Sequence, residues 1–563
     1  MKCPCVVAAL FVLVGCASTG VSQRAASGTN TEKPIEGDSI SHYLTSIIHR
    51  KAGDTDAAIR ELRKAADLNR ESTMLQVQLL GAYYRSQDFE NAVVMAERAV
   101  RSDPDNVLLH IWLGRIYYQL GRVDEALEAF QTAIALDPTN AAGYEALAEI
   151  EEETNDLIGA IEVYEKLLGI NPESAFLHYR LGFNLLRIDE FDGARAAFER
   201  AVELDPELAQ AYYLLGLIYL ETDQPAQAID TFQAFLQLNE QHVRGQMNLA
   251  AAHARLGQYG LAVDIMTRLI DGSNADTEHH IHRTFLLLKG GMLEDSGIAA
   301  PPNGAPLVGT VLQILARKAT NEPYERQVER LDSIDSDIDI EASVYLNDLI
   351  STYGDEGSHF LESQFQALRR DGMSSRVLDV LLARLYLATE QSRPAAELLE
   401  YVIRRYGEDA GLRYLLASAY DDLDMPAKTE EHLRKCVELE PNDADALNFL
   451  GYFLAEQNKN LNEAQKLLEQ ALEADPENGF YLDSLGWIYY RKGDAKRAIR
   501  YIRDARRFMD SDDAILRDHI GDAYLLNGEV EKAVDQWRRA RRLDPELEGV
   551  EEKIRKYGSA TTE

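Results

Sequence analysis

Between Val107 and Pro138 the apolar positions fall into two stripes with the three-to-four-residue spacing of a helix face. Leu113, Gly114 and Tyr117 share one stripe, and Ala126, Phe130 and Ala133 share the next. The pattern predicts two amphipathic helices. Gly114 and Ala126 are small enough to let the helices approach closely, Tyr117 and Phe130 fill the space beside them, and Gly121 supplies the turn. Pro138 cannot continue the second helix and biases Asp137 away from helical angles, so the chain must turn there. The predicted unit is a helical hairpin.

The same pattern returns along the chain. Ala58, Ala92, Ala126, Ala160, Ala194, Ala228 and Ala262 stand 34 residues apart, and Pro104, Pro138, Pro172 and Pro206 each follow an alanine by twelve. The frame recurs in Leu181, Gly182, Ala194, Phe198, Ala201 and Pro206, and again in Leu215, Gly216, Tyr219, Ala228 and Phe232. In a later block Gly451, Gly486 and Gly521 step by 35, accompanied by Tyr489, Tyr524, Ala464, Ala498, Ala533, Trp537, Pro441, Pro476 and Pro545. Roughly twelve units are recognisable, over residues 39–274 and 376–547. Each has apolar surface to bury against its neighbours, so the hairpins should stack.

At these residues the chain resembles the tetratricopeptide repeat family, whose Leu-Gly, Tyr, Gly, Ala, aromatic, Ala, Pro pattern matches Leu113, Gly114, Tyr117, Gly121, Ala126, Phe130, Ala133 and Pro138. The resemblance implies an all-α fold, a right-handed superhelical solenoid of hairpins, that binds other proteins or peptide segments in its concave groove. In the family the second, fifth, ninth and twelfth residues of each unit line that groove. Here they include Leu108, Ile111 and Tyr118; Phe176, Tyr179, Phe183 and Leu186; Tyr213, Leu217 and Leu220; and Phe480, Trp487 and Tyr490. The helix beginning at Ala175 is apolar almost all round, an excess that calls for a partner or a fold-back. Glu145, Glu149, Glu152 and Glu153 form an acidic step on the equivalent face. A ligand with apolar anchors and a nearby Lys or Arg would suit both features. The alternative is that neighbouring turns, or the segment near Pro301, cover these side chains.

The repeat fades between residues 275 and 375. Pro301, Pro302, Gly304 and Pro306 make 297–306 a loop or hinge, flanked by helices over 278–289 and 307–319, while 341–353 with 360–368 reads as one degenerate hairpin. The pattern fits a joint between two sub-arrays and equally an insertion in a continuous spiral.

Composition narrows the partners. The 563-residue chain is 46% hydrophobic and 27% charged, which places it in the globular class. Its formal net charge of -36 repels phosphate backbones, so no nucleic-acid partner is expected. The charge is spread over mixed stretches that read as solvated helix faces.

The first residues change the picture more. Lys2 precedes an apolar run from Val6 to Val14 that is too short to span a bilayer and ends in Leu13, Val14, Gly15 and Cys16. These four resemble the bacterial lipobox, which implies cleavage before Cys16 and lipidation of its thiol; an ordinary secretory signal with an incidental cysteine is the alternative. Buried acyl methylenes contribute about 0.8 kcal/mol each, so several chains would anchor the protein durably. Ala17, rather than Asp, follows the cysteine, which by the best-known sorting rule favours the outer membrane, facing the periplasm. The expected division is a signal peptide over 1–15, a disordered tether over 16–38 with a span of about 25 Å, a first array over 39–274, an irregular helical segment over 275–375, a second array over 376–547, and a capping helix and tail over 548–563.

Candidate chemistry is sparse. Cys3 and Cys5 fall in the leader, leaving Cys436 alone in the folded body at a small-residue packing position, where a buried structural thiol is expected. His279, His280 and His282 are the densest potential metal ligands, but no further ligand follows at a motif spacing. Asp335, Asp337 and Asp339 begin like a calcium loop, yet Ile340 and Leu346 stand where glycine and glutamate are required; Asp339 is better placed to cap a helix starting near Glu341. No metal, cofactor or catalytic motif is expected. The whole layout resembles proteobacterial outer-membrane tetratricopeptide lipoproteins, which implies a non-enzymatic scaffold or adaptor, for instance for a periplasmic protease or its cell-wall hydrolase substrates. A pilotin-like assembly factor for a secretin or polysaccharide export system is the alternative. A metal-dependent enzyme concealed in the irregular middle is a remoter one.

Overall fold

The computed structural model describes residues 37–271, 277–293, 307–331, 342–373, 375–509 and 511–558. The leader, Cys16, most of the tether, the proline-rich loop and Asp335, Asp337 and Asp339 lie outside the described residues. Among the described residues every regular element is a helix, and no strand occurs.

The predicted hairpins form. Val107–Gln119 pairs with Val123–Leu136, Ala175–Arg187 with Phe191–Leu204, Ala209–Glu221 with Pro225–Leu238, and Gly479–Arg491 with Ala495–Arg507. Of the seven alanines at 34-residue steps, six are completely buried and Ala58 nearly so. The glycines explain why these positions stay small. A Cβ on Gly114 would stand 2.7 Å from the ring of Phe130, and one on Gly216 2.6 Å from that of Phe232, both rings being fully buried. The two helices can therefore approach only where a side chain is missing.

Each hairpin turn uses a left-handed residue. Gly121 has φ 72°, and the positions 34 residues before and after it, Gln87 and Asn155, have φ 60° and 56°. The conformation thus belongs to the turn, and glycine is only its least strained occupant. Asp54, Ser72, Asp88, Asp156 and Ser174 cap the helices that follow them, each side chain accepting a backbone N–H of the first turn.

The chain forms two compact units, one running to Glu173 and the other from Ser174 onward. This boundary falls inside the stretch expected as a single first array. In the first unit the core is built from Leu75, Leu79, Leu80, Tyr83, Val93 and Ile116. In the second, one apolar cluster runs from Met247 in a regular hairpin through Phe285, Leu312, Leu349 and Phe365 of the irregular segment to Tyr420 in the later array. Phe285 stacks on Tyr353 with ring centroids 4.5 Å apart, and Arg255 reaches from its hairpin to donate hydrogen bonds to the carbonyls of Leu220, at 2.6 Å, and Thr352, at 3.1 Å. Among the described residues between 247 and 420, the irregular segment thus shares one continuous core with the hairpins before and after it.

Its helices Thr277–Lys289 and Leu307–Ala319 occupy the predicted positions. The predicted degenerate hairpin takes another form: a π-helical turn, Ala342–Leu346, leads into Asn347–Arg370, broken at Gly354 with φ 61° and ψ -157°. The break replaces the longer loop expected before Phe360.

At the end of the second unit Val550–Tyr557 lies over the last hairpin, with Val550 and Ile554 packed on Ala533, Val534 and Trp537. Cys436 is fully buried, its Sγ–H donating to the carbonyl of Ala410 at 3.3 Å, and burial with nearby carboxylates pushes its thiol up to about 12. Such a thiol is inert, as its packing position predicts.

Candidate protein-binding surface

Hairpin geometry decides which side chains a partner could reach. The first helix of each hairpin packs one side on its own second helix and another on the neighbouring hairpin; the residues named above as groove candidates are expected on what remains.

In the first unit Leu108 is 58% exposed and Tyr118 half-buried, whereas Ile111 is buried. Glu145, Glu149 and Glu153 are exposed and Glu152 half-buried, with Glu149 placed 3.7 Å from the Arg115 guanidinium. In the second unit Phe176 is 60% exposed, with the Arg180 guanidinium 5.8 Å from its ring centroid. Tyr179 and Phe183 lie nearly parallel, 6.4 Å apart, and Tyr179 leans on the buried Phe198. Both are half-buried, as is Leu186, and burial pushes the Tyr179 hydroxyl above its ordinary value. Tyr213 is wedged among Phe232, Phe235 and His242, with Leu217 half-buried on the next turn and Leu220 buried.

The later array departs further from expectation. Phe480 is 66% exposed, but Trp487 is buried in a stack, 4.6 Å from Tyr490 and 4.0 Å from His519 of the following hairpin, while its indole N–H donates to Glu456 Oε1. Trp487, Ile111 and Leu220 are therefore packing residues, Trp487 because His519 of the following hairpin closes over it, and the reachable surface contracts to the rest. Ile515, which the sequence reading missed, is 48% exposed; a step of 35 from Phe480, the period of the block, lands on it.

His519 was also missed; a step of 35 back from it lands on Ser484, which gives no sign of a charged partner. Its Nδ1 lies 3.0 Å from Asp483 Oδ2. Burial alone would depress the imidazole, but Asp483, with Asp518 and Glu456 beyond it, raises it above the ordinary value. The charged form is thus favoured by folding, and its stabilisation is complete below about pH 6.5 and is lost as pH rises through the higher folded value. The protection of the last two hairpins, read as amide exchange corrected for its intrinsic base-catalysed rate, is expected to fall between mildly acidic and alkaline buffer, and Asp483→Asn should flatten that dependence. An unchanged slope in the variant would assign it to other groups.

The histidine cluster resolves into an ion-pair network. His282 Nε2 stands 2.6 Å from Asp348 Oδ2, and its Nδ1 3.0 Å from the Tyr353 hydroxyl. Glu278, His282 and Asp348 bring ligand atoms within 4.8 Å of one another, close enough to converge on a cation. Arg244, however, places Nη1 2.9 Å from Glu278 Oε1 and 3.6 Å from Asp348 Oδ1, so the chain supplies that cation itself. Burial pushes the Asp348 carboxyl up, yet His282 and Arg244 hold it below its ordinary value. His279 is buried and His280 half-buried on the same helix, outside this set. An open hollow of about 430 Å³ beside Asp189, Glu190, Phe191 and Asp192 is lined by carboxylates, one of which, Glu190, pairs with Arg542 at 2.8 Å. It pairs no nucleophile with a base.

Comparison with known proteins agrees with this architecture. Tetratricopeptide repeat models match residues 77–141, 113–175, 179–239, 219–277, 458–514 and 484–548, and a second such model matches 410–443. Together these cover more than half of the chain. A TPR repeat-containing protein of Pseudomonas aeruginosa is 35% identical over 85 residues, which span 15% of this chain and 14% of that relative's length. Among solved structures, Naa15/Naa10 bound to HypK-THB covers 92% of this chain, itself covered over 79%, at 14% identity and a TM-score of 0.35. The Cut9–Hcn1 hetero-tetramer of APC/C covers 85%, itself covered over 95%, at 14% identity and a TM-score of 0.34.

Proposed function

We propose that this chain, which belongs to the tetratricopeptide repeat family, is a non-enzymatic adaptor of the bacterial cell envelope that holds other proteins on the exposed faces of its first helices. The family's repeats are protein-interaction scaffolds; the particular surface, the location and the pathway are our reading.

One observation carries it. Phe176 and Phe480, at the same place in two different hairpins, are 60% and 66% exposed, whereas the aromatic rings of the hairpin interiors are completely buried. Large exposed aromatics beside half-buried ones are the anchors on which protein interfaces concentrate their energy. Within the first unit, Glu145 and Glu149 form an exposed negative stretch of their own, suited to a segment carrying Lys or Arg.

Attachment to a membrane rests on Leu13, Val14, Gly15 and Cys16. Replacing Cys16 with serine should abolish labelling of the protein by fatty acid and leave its leader uncut, read as a heavier, unlabelled chain. Within that setting, our reading is delivery of substrates to a periplasmic protease, with pilotin-like assembly as the alternative.

Phe176→Ser with Phe480→Ser tests the surface. Both side chains are mostly in water, so the fold should survive, with helicity and melting unchanged. Partners captured from envelope extract by the wild-type chain should be lost or weakened about tenfold or more. A partner set indifferent to both changes would remove the surface from the account.

A further inference from the structure

The two ends of the described chain are finished differently. At the C-terminal end Val550–Tyr557 buries Val550 and Ile554 on the last hairpin and turns Glu551, Glu552, Arg555 and Lys556 outward. Stacked repeats need such a polar cover, because a terminal hairpin otherwise exposes the surface meant for its neighbour. The N-terminal end has the opposite character. The first helix, Gly37–Lys51, carries Ile40, Leu44 and Ile48 at 40%, 54% and 65% exposure, four residues apart on one stripe.

The repeat shows what that stripe is built for. Ile116, Ile150 and Ile218, the isoleucines at multiples of 34 residues from Ile48, are at most 3% exposed, and Leu214, the leucine at the place of Leu44, is 6% exposed; the place of Ile40 is that of the exposed Leu108 and Phe176. In those hairpins the preceding one covers them. Leu44 and Ile48 therefore present a hairpin-docking surface on which nothing among the described residues is docked, and Ile40 extends the same apolar stripe by one turn.

We propose that this helix pairs antiparallel with the same helix of a second copy of the chain, giving a closed two-fold dimer. With the two-fold at Leu44, each Leu44 meets its counterpart, and Ile40 meets the partner's Ile48. Charge selects the direction: Asp38 lies in the first turn and His49, Arg50 and Lys51 in the last, so the antiparallel pair sets the acidic turn of each helix beside the basic turn of the other and opposes their dipoles. A parallel pair would bring the basic turns together. Head-to-tail stacking would seat the stripe on the charged outer face of Val550–Tyr557, which offers it no apolar counterpart. The pair is isologous and closes on itself rather than growing into a filament. Three apolar side chains per copy are fewer than a standard interface of about 1,200–2,000 Å² uses, so the dimer is weak and reversible.

Analytical ultracentrifugation of the full-length protein over a wide concentration range tests this. The wild-type chain should show a monomer–dimer equilibrium. Leu44→Glu with Ile48→Glu should leave it monomeric with unchanged helicity, since both side chains are exposed. Asp38→Lys, which touches no apolar contact, should weaken association about tenfold, and adding Arg50→Glu and Lys51→Glu should restore it. A monomer at every concentration would overturn the proposal. So would self-association that survives Leu44→Glu with Ile48→Glu, which would point to the leader instead. So would a stripe whose loss changes only binding to lipid vesicles.

Discussion

Replacing Arg517 with alanine is expected to destabilise the last hairpins by about 3–5 kcal/mol, the cost of leaving its buried partner uncompensated. Arg517 and Asp512 are both completely inaccessible as side chains, with Nε 2.8 Å from Oδ1 and Nη2 2.6 Å from Oδ2. Nη1 also donates to Gln536 Oε1 at 2.8 Å. Removing the guanidinium leaves a carboxylate in a low-dielectric interior without its counter-ion, the Asp513 N–H at 3.1 Å being the donor that remains. The double change Arg517→Met with Asp512→Asn removes both charges, so it should cost much less than the single change. A chain of many hairpins need not unfold in one step, so the readout is amide exchange of residues 514–557 rather than a single melting point. Equal losses in the single and double variants would mean that the pair matters only for its volume.

Phe285→Ala is expected to cost about 3–5 kcal/mol, and its reach is the informative part. Phe285 is completely buried, stacked on Tyr353 and edge-on to Phe360 at 5.7 Å. Because one apolar cluster runs from Met247 to Tyr420, loosening its middle should accelerate exchange in the hairpins on both sides, 243–269 and 376–422. Were the irregular segment a hinge between independent arrays, exchange would rise only within that segment.

The regular part of this architecture was legible because hairpin packing is local. The alanines at 34-residue steps, the glycines opposite Phe130 and Phe232 and the turn at Gly121 each answer to a partner within one repeat, so periodicity reports them directly. The irregular segment was not legible in the same way. Its decisive contacts join residues far apart without a period, such as His282 with Asp348, 66 residues on, and Arg255 with Thr352, 97 residues on. Its helices could be placed from their own apolar stripes, but not the core that binds them.

The candidate surface was legible only by position. Counting along the repeat places Phe176 and Phe480 on the open face and places Trp487 there too. What buries Trp487 is His519 of the following hairpin, a residue whose type gives no sign of a stacking role. Ile48 fails in the reverse sense: its position predicts burial, and only the absence of a preceding hairpin among the described residues leaves it open. Position within a repeat fixes the direction of a side chain, while exposure depends on what the neighbouring repeat contributes.

The central claim is that the first-helix faces hold another protein, and site-specific photocrosslinking in the intact envelope tests it most directly. A photoreactive residue at Phe176 or Phe480 should form an adduct with a protein partner, whereas one at Glu473, exposed on a second helix, should not. Adducts at Glu473 with none at Phe176 and Phe480 would contradict the account.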